Sequence, residues 1–376
     1  MASLTNLPLE LIHHILSKAA AEDPPSKKFL HEEPSASLLH SVHHPLKDLV
    51  RTSRLLHDLS CEYLFTSLKA DIRDIARLIL FTEKHSLRGR VSSLLLYLGE
   101  LREERWDPND ELTGNQPPCT LSEPTSTSTW RQIKAVVDVI DPSSLTFMLP
   151  PAEYECILPY ELDLADEWAF HTPYQLLRLD QGDKEIRHWP VAGSLSDYKI
   201  FGLRPWSHIT FNEGCSVQAF STYEFFDKTA PSIMHPKTAI ESILPSNVCP
   251  SIVSVDHIAV FPICDIVQNW SFLSRFSNLK FLRVQFAPSP SNKLLDDPVR
   301  LGKCQRSDLW SELRQAYLEH INALGFQHPW DWDGPSDFTI LDYSNPGINE
   351  MFDEEWILSE LGDWYPQGKG HWARNV

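Results

Sequence analysis

The chain has 376 residues, 42% of them hydrophobic, enough to bury a large core and to exclude an intrinsically disordered protein. Its formal net charge of -18 comes from 51 acidic against 33 basic residues, with no clustered Lys and Arg, so a nucleic-acid partner is not expected. No apolar run approaches the roughly 18 residues that a membrane-spanning helix needs, and no basic flank followed by an apolar stretch marks a secretory signal.

In chain order, the first element is LPLELIHHIL at 7–16. Pro8 suits the first helical turn, where its missing N–H has no intrahelical partner, and Glu10 suits the positive end of the helix dipole. Leu7, Leu11, Ile12, Ile15, Leu16 and Ala19 recur at helical spacing. Residues 20–45 follow, rich in Pro, Ser and His, and read as a polar loop. In the next segment, 45–68, Leu46, Leu49, Val50, Leu56 and Leu59 form a second apolar stripe, and Tyr63, Leu64, Phe65 and Leu68 a third short cluster. Three short helices of this kind bury little surface alone, and helix-in-groove docking onto a partner is the expected use.

LPLELIHHIL, LVRTSRLLHDL and YLFTSL in this order resemble the F-box, in its fungal form. The resemblance implies docking onto the small Skp-family adaptor of an SCF-type cullin ubiquitin ligase. Carried over position by position, it implies adaptor-facing roles for Leu7, Pro8, Leu11, Ile12, Ile15, Leu49, Val50, Ser53, Arg54, Leu64, Phe65 and Leu68. The insertion at 20–45 departs from the family pattern, which has only a short break there. The domain expectation is therefore an F-box over 1–70 with an inserted loop, followed by a recognition domain over 71–376.

Beyond residue 70 the pattern alternates between short apolar runs and helical ones. Strands are predicted at 91–97, 145–149, 175–179, 208–211, 255–260, 281–286 and 338–341, and helices at 71–84, 130–140, 220–226, 263–276 and 309–324. Alternation of this kind implies an α/β fold with parallel strands and helices packed outside. The stretch FLSRFSNLKFLRV at 272–284 looks like part of a leucine-rich repeat, although the strands are spaced too irregularly for a strict one. The fold class expected is α/β: a three-helix F-box followed by an irregular leucine-rich-repeat-like array, as fungal F-box proteins often carry. Its strand face would read a protein substrate through Arg178, Asp180, Trp206, His208, Arg283 and Gln285. Residues 100–129 read as a long surface loop. The C-terminal stretch holding Trp330, Trp332, Trp356, Trp364 and Trp372 reads as an aromatic cap on the array.

No motif for nucleophilic, phosphate-binding or metalloprotease chemistry occurs. Histidines 13, 14, 31, 40, 43, 44 and 57 lack metal-ligand spacing and read as solvated; neither metal nor cofactor is expected. The seven cysteines are scattered, without CxxC, as in reduced proteins of the cytoplasm or nucleus. Two rivals to a non-catalytic, substrate-recruiting ligase subunit stand beside it. Carboxylates next to tryptophan (Asp163, Asp166 and Glu167 by Trp168; Asp331 and Asp333 by Trp330 and Trp332; Asp353, Glu354 and Glu355 by Trp356) suggest a carbohydrate hydrolase. The F-box-like helices could equally belong to a scaffold protein that does not join the ligase.

Overall fold

The structure, a computed structural model, describes residues 7–20, 30–39, 45–98, 126–182, 198–237, 251–263, 270–289, 292–325, 334–352 and 354–374. The chain divides into two compact units, Met1–Phe29 with Ser35–Met148, and Leu30–Pro34 with Leu149–Val376. The division does not follow the expected boundary near residue 70: the N-terminal helices belong with the first strands, up to 148.

The first unit opens with three helices, α1 (Leu9–Ala20), α2 (Pro45–Leu49) and α3 (Arg54–Leu64). Pro8 starts α1, its carbonyl accepting from Leu11 and Ile12 N–H. The single stripe expected over 45–59 is broken between α2 and α3. Ser53 takes an extended backbone there, and its hydroxyl accepts from Leu56 N–H at 3.2 Å, the standard N-cap. The three helices close on a small core of Ile12, Leu16, Leu46 and Leu56, with Leu49, Leu59, Tyr63 and Leu64 packed around it. His13 joins the rim through its Nδ1 and Tyr63 Oη, 2.9 Å apart.

The third apolar cluster is not a helix of its own. Leu64 ends α3, Phe65 caps it, and Leu68 lies in strand β1 (Ser67–Asp71). Helix α4 (Ile75–Lys84) leads to β2 (Ser93–Tyr97), and α5 (Ser126–Ile140) leads to β3 (Ser144–Leu149). The strands pair in parallel, β1 on β2 and β2 on β3, as the alternation predicted. Nearly every residue of β2 and β3 is buried, the mark of strands covered on both faces.

In the second unit, β4 (Gln175–Asp180), β5 (His208–Cys215), β6 (Ser254–Val260) and β7 (Phe281–Gln285) come first. Helix α6 (Arg306–Gly325), strand β8 (Asp337–Ile340), helix α7 (Glu354–Leu361) and the hairpin of β9 (Trp364–Gly368) and β10 (His371–Arg374) follow. The spatial order is β4, β5, β6, β7, β8, β10, β9. Pairs from β5 to β8 are parallel; β4 on β5 and the C-terminal hairpin on β8 are antiparallel. Seven strands thus coincide with predicted ones. The predicted helix over 220–226 is instead two short 3-10 turns, Val217–Ser221 and Phe225–Asp227, separated by Glu224 at φ +56°. A positive φ on a non-glycine residue breaks a helical register.

Strand alternation sorts the side chains. Leu179, Ile209, Val255, Leu282, Phe338 and Trp372 share one buried row. The next row on that face, Leu177, Phe211, His257, Val284 and Ile340, is buried as well. From α6, Tyr317 and His320 meet this face through the Phe286 ring, at centroid separations of 4.9 and 5.2 Å.

Two of the tryptophans expected to form an aromatic cap pack in or beside the C-terminal hairpin. Trp372 is fully buried, stacked on Phe338 and edge-on to Tyr343, and Arg374 lies over the Trp364 ring. Trp330 and Trp332 lie outside the described residues. The hairpin turn depends on Gly370, at φ +69°, where a Cβ would run into Tyr343 and approach the Ile340 carbonyl. Gly370→Ala should therefore cost about 2–3 kcal/mol, combining strain at positive φ with overpacking, read as a lower midpoint in denaturant titration.

Among the described residues, no helix is long and apolar enough to cross a membrane.

Candidate functional site

Two surfaces carry the sequence-predicted site residues, one in each unit. The first lies on α1. An amphipathic helix normally turns one stripe inward and leaves the rest polar. Here two apolar rows run along the helix, each stepping by four residues. Ile12 and Leu16 are 1% and 0% exposed and form the inward row. Leu7, Leu11 and Ile15 form the other row and remain 39%, 51% and 40% exposed; Leu9, in the first turn on the side of Ile12 and Leu16, and Leu55 on α3 are exposed as well.

Of the residues expected to face an adaptor, Leu7, Pro8, Leu11, Ile15 and Arg54 are exposed. Ile12 is a correction: it is in the helical core, because only one of the two rows can point outward. Ser53 is occupied as the cap of α3. Leu49 and Leu64 pack partly against the core, and Val50 is half-buried. Phe65, also half-buried, tilts against Phe81 of α4 at 5.9 Å, while Leu68 is held in β1.

The second surface is the outward face of the strands in the other unit. Register places Arg178, Thr210, Asp256, Arg283, Thr339 and His371 side by side across β4, β5, β6, β7, β8 and β10. Asp180 and His208 occupy the adjoining row. Arg283 grips Asp256 with Nε and Nη2, at 2.5 and 2.9 Å. His208 Nε2 lies 3.3 Å from the same carboxylate and 3.1 Å from Thr210 Oγ1. Arg178 Nε donates to Asp180 at 2.8 Å, and His371 Nε2 is 2.9 Å from Asp337. Burial alone would raise the Asp256 carboxyl, but hydrogen bonds and charge from His208 and Arg283 outweigh it and hold it below its ordinary value. The result is a band of positioned charges in which Arg283 keeps about a third of its side chain in solvent.

Arg178, Asp180, His208 and Arg283 thus lie together on this face. Trp206 is a correction: it is 1% exposed, its indole N–H donating to the Ile200 carbonyl, and it serves the core. Gln285 shares the outward face but is buried, paired with His31. Sequence reasoning missed Asp256 and Thr210. Their signal was present, since a lone carboxylate in the apolar run VDHIAV must occupy the polar side of a two-residue alternation.

The carboxylates beside tryptophan are differently engaged. Asp166 binds Lys228 at 3.5 Å and accepts from Thr229 N–H, while Lys228 covers the Trp168 ring. Asp331, Asp333 and Asp353 lie outside the described residues. Four cysteines fall within them, all free. Cys156 and Cys215 are buried, and burial pushes both thiols up to about 12. Among the described residues, no three His, Cys, Asp or Glu side chains gather as a metal site would require.

No protein-family model matches the chain, and neither a curated protein nor a solved structure matches it.

Proposed function

We propose that the chain is a substrate-recruiting, non-catalytic subunit of an SCF-type cullin ubiquitin ligase: an F-box over the N-terminal helices, then an irregular leucine-rich-repeat-like array. The helices would bind a Skp-family adaptor and, through it, the cullin, in the cytoplasm or nucleus. The strands would hold a protein substrate. The contribution to catalysis is proximity, since tethering raises the effective concentration of a target lysine near the conjugating enzyme.

The observation that carries this reading is the outward row of α1. Covering the exposed parts of Leu7, Leu11, Ile15 and Leu55 is worth roughly 1 kcal/mol each at 25 cal/mol per Å2, enough to anchor a helix-in-groove contact. The three-segment resemblance adds the identity of the partner. Strands that follow chain order from β4 to β8, parallel from β5 onward, support an array over a hydrolase pocket.

Leu11→Asp with Ile15→Asp tests it by pull-down of the adaptor. Wild type should retain adaptor and the double variant should lose at least about 100-fold in affinity, about 2.7 kcal/mol, while keeping its far-ultraviolet circular dichroism. Equal retention by both, or none by wild type, would overturn the proposal and leave the scaffold reading.

A further inference from the structure

The insertion at 20–45 contains a segment that packs away from its neighbours in sequence. Leu30–Pro34 belongs with the second unit, while the chain before and after it belongs with the first. There it lies against the outward face of the strands, at the row next to the band of charges. Asn212 and Gln285 occupy that row, on β5 and β7.

The contacts have a definite chemistry. Asn212 is 1% exposed, and its Nδ2 donates to two main-chain carbonyls of the segment, Leu30 at 2.7 Å and Glu32 at 2.8 Å. Its Oδ1 accepts from Gly214 N–H, so the amide is fixed in orientation. Gln285 Nε2 donates to the carbonyl between them, that of His31, at 3.2 Å, and its Oε1 pairs with His31 Nδ1 at 2.8 Å. Arg300 Nη2 binds the Glu33 carboxylate at 2.6 Å. Leu30 and Pro34 are buried. Among the described residues the segment makes no main-chain hydrogen bond to any strand; its first two residues, Leu30 and His31, are helical, and its contacts to the strands are made by side chains.

Side-chain amides that grip successive carbonyls recognise a peptide main chain whatever its sequence. An apolar seat and a single arginine then select which peptide. A strand of the fold would be held by a ladder of main-chain bonds, which this segment lacks.

We propose that Asn212, Gln285 and Arg300 form a linear-peptide site, occupied in this structure by the chain's own Leu30–Pro34 as a displaceable self-ligand. The partner it fits is a protein segment carrying an apolar residue, an acidic residue three positions later and a proline after that. This goes beyond adaptor docking and fails or stands separately from it, because the site residues are remote in sequence from the α1 row and the readout contains no adaptor.

The probe is a fluorescent peptide of residues 28–36, titrated by anisotropy. It is added to the wild-type chain and to a chain carrying Leu30→Gly, His31→Ser, Glu32→Gly, Glu33→Ser and Pro34→Gly together. A tether supplies the self-ligand at about millimolar effective concentration, so a peptide of about 10–100 μM affinity for the vacated site should bind wild type about 10- to 100-fold more weakly. Adding Asn212→Ala or Arg300→Glu to the vacated chain should abolish saturable binding, and a peptide carrying Glu33→Lys should bind at least about tenfold more weakly. Absence of saturable binding to the folded, vacated chain at about 1 mM peptide would overturn the proposal. So would equal binding by the two chains. Failure of the vacated chain to fold would overturn it as well, because a displaceable ligand is dispensable for folding.

Discussion

Leu16→Ala should destabilise the helical module by about 2–4 kcal/mol, while Leu11→Ala should change its stability by less than about 0.5 kcal/mol. The two leucines sit on one helix, five residues apart, with the same intrinsic propensity. Leu16 is fully buried against Ile12, Leu46 and Leu56, so truncation there removes transfer energy and leaves a cavity. Among the described residues this core has four buried members, so little neighbouring structure can collapse into that cavity. Leu11 is half in solvent, and truncating it removes contacts that the free chain scarcely makes. Amide hydrogen exchange over α1 would show the contrast as faster exchange for Leu16→Ala alone. In adaptor binding the order should reverse: Leu11→Ala weakens a folded module's contact directly, and Leu16→Ala acts only through the unfolded fraction. Equal exchange in the two variants would mean that the inward and outward rows are wrongly assigned, and the docking face with them.

That assignment marks a limit of sequence reading. Two apolar rows 100° apart on a twelve-residue helix form one broad stripe in a periodicity count, so Ile12 and Ile15 look alike. Only the positions of α2 and α3 decide which row turns inward, and those depend on the break at Ser53. A Ser before an apolar run is a capping signal, yet the continuous stripe from Leu46 to Leu59 masked it. Strands were easier. Apolar runs bounded by turn residues located β2 to β8 to within a few residues, because a buried parallel strand leaves a dense local signal. The C-terminal hairpin was not seen: Trp364–Gly368 is exposed after its first residue and carries no alternation. The charge band was half-legible. Arg178, His208 and Arg283 stand out as charged or titratable residues within apolar runs, but Asp256, which holds Arg283 and His208 in place, belongs to a run that reads as core. The role of Leu30–Pro34 could not be read at all, since Asn212, Gln285 and Arg300 come together only through the fold, about 180 to 270 residues away along the chain.

A pH titration of stability should separate two buried groups that act in opposite directions. His320, on α6, faces His257 of β6 and the Phe286 ring; His257 in turn pairs with Glu213 of β5, which also accepts from Ser232. Burial first, then the neighbouring His257, pushes the His320 imidazole down from 6.5 to about 3, against its hydrogen bond with the Ala316 carbonyl. Asp342 lies against the same helix, accepting from Tyr317 Oη and from Phe286 and Ala287 N–H. Burial pushes its carboxyl up from 3.8 to about 6 in spite of those donors. Below pH 6.5 the unfolded chain protonates His320 and the folded chain does not, so stability falls as pH falls, by about 1.4 kcal/mol per pH unit, until the folded value near 3. Between pH 6 and 3.8 the folded chain protonates Asp342 and the unfolded chain does not, so this contribution rises as pH falls, with the same slope. Over that window the two cancel. Asp342→Asn removes one of them, and its stability should decline relative to wild type by about 3 kcal/mol from pH 6 to 3.8. His320→Gln removes the other, and its stability should climb relative to wild type by about the same amount across the same window. Urea titrations at four or five pH values would check both slopes. Curves parallel to wild type would show that neither group keeps its unusual protonation state in the folded chain. A decline in one variant without the climb in the other would mean that the helix packs on the sheet by another register than the one that brings His320 to His257.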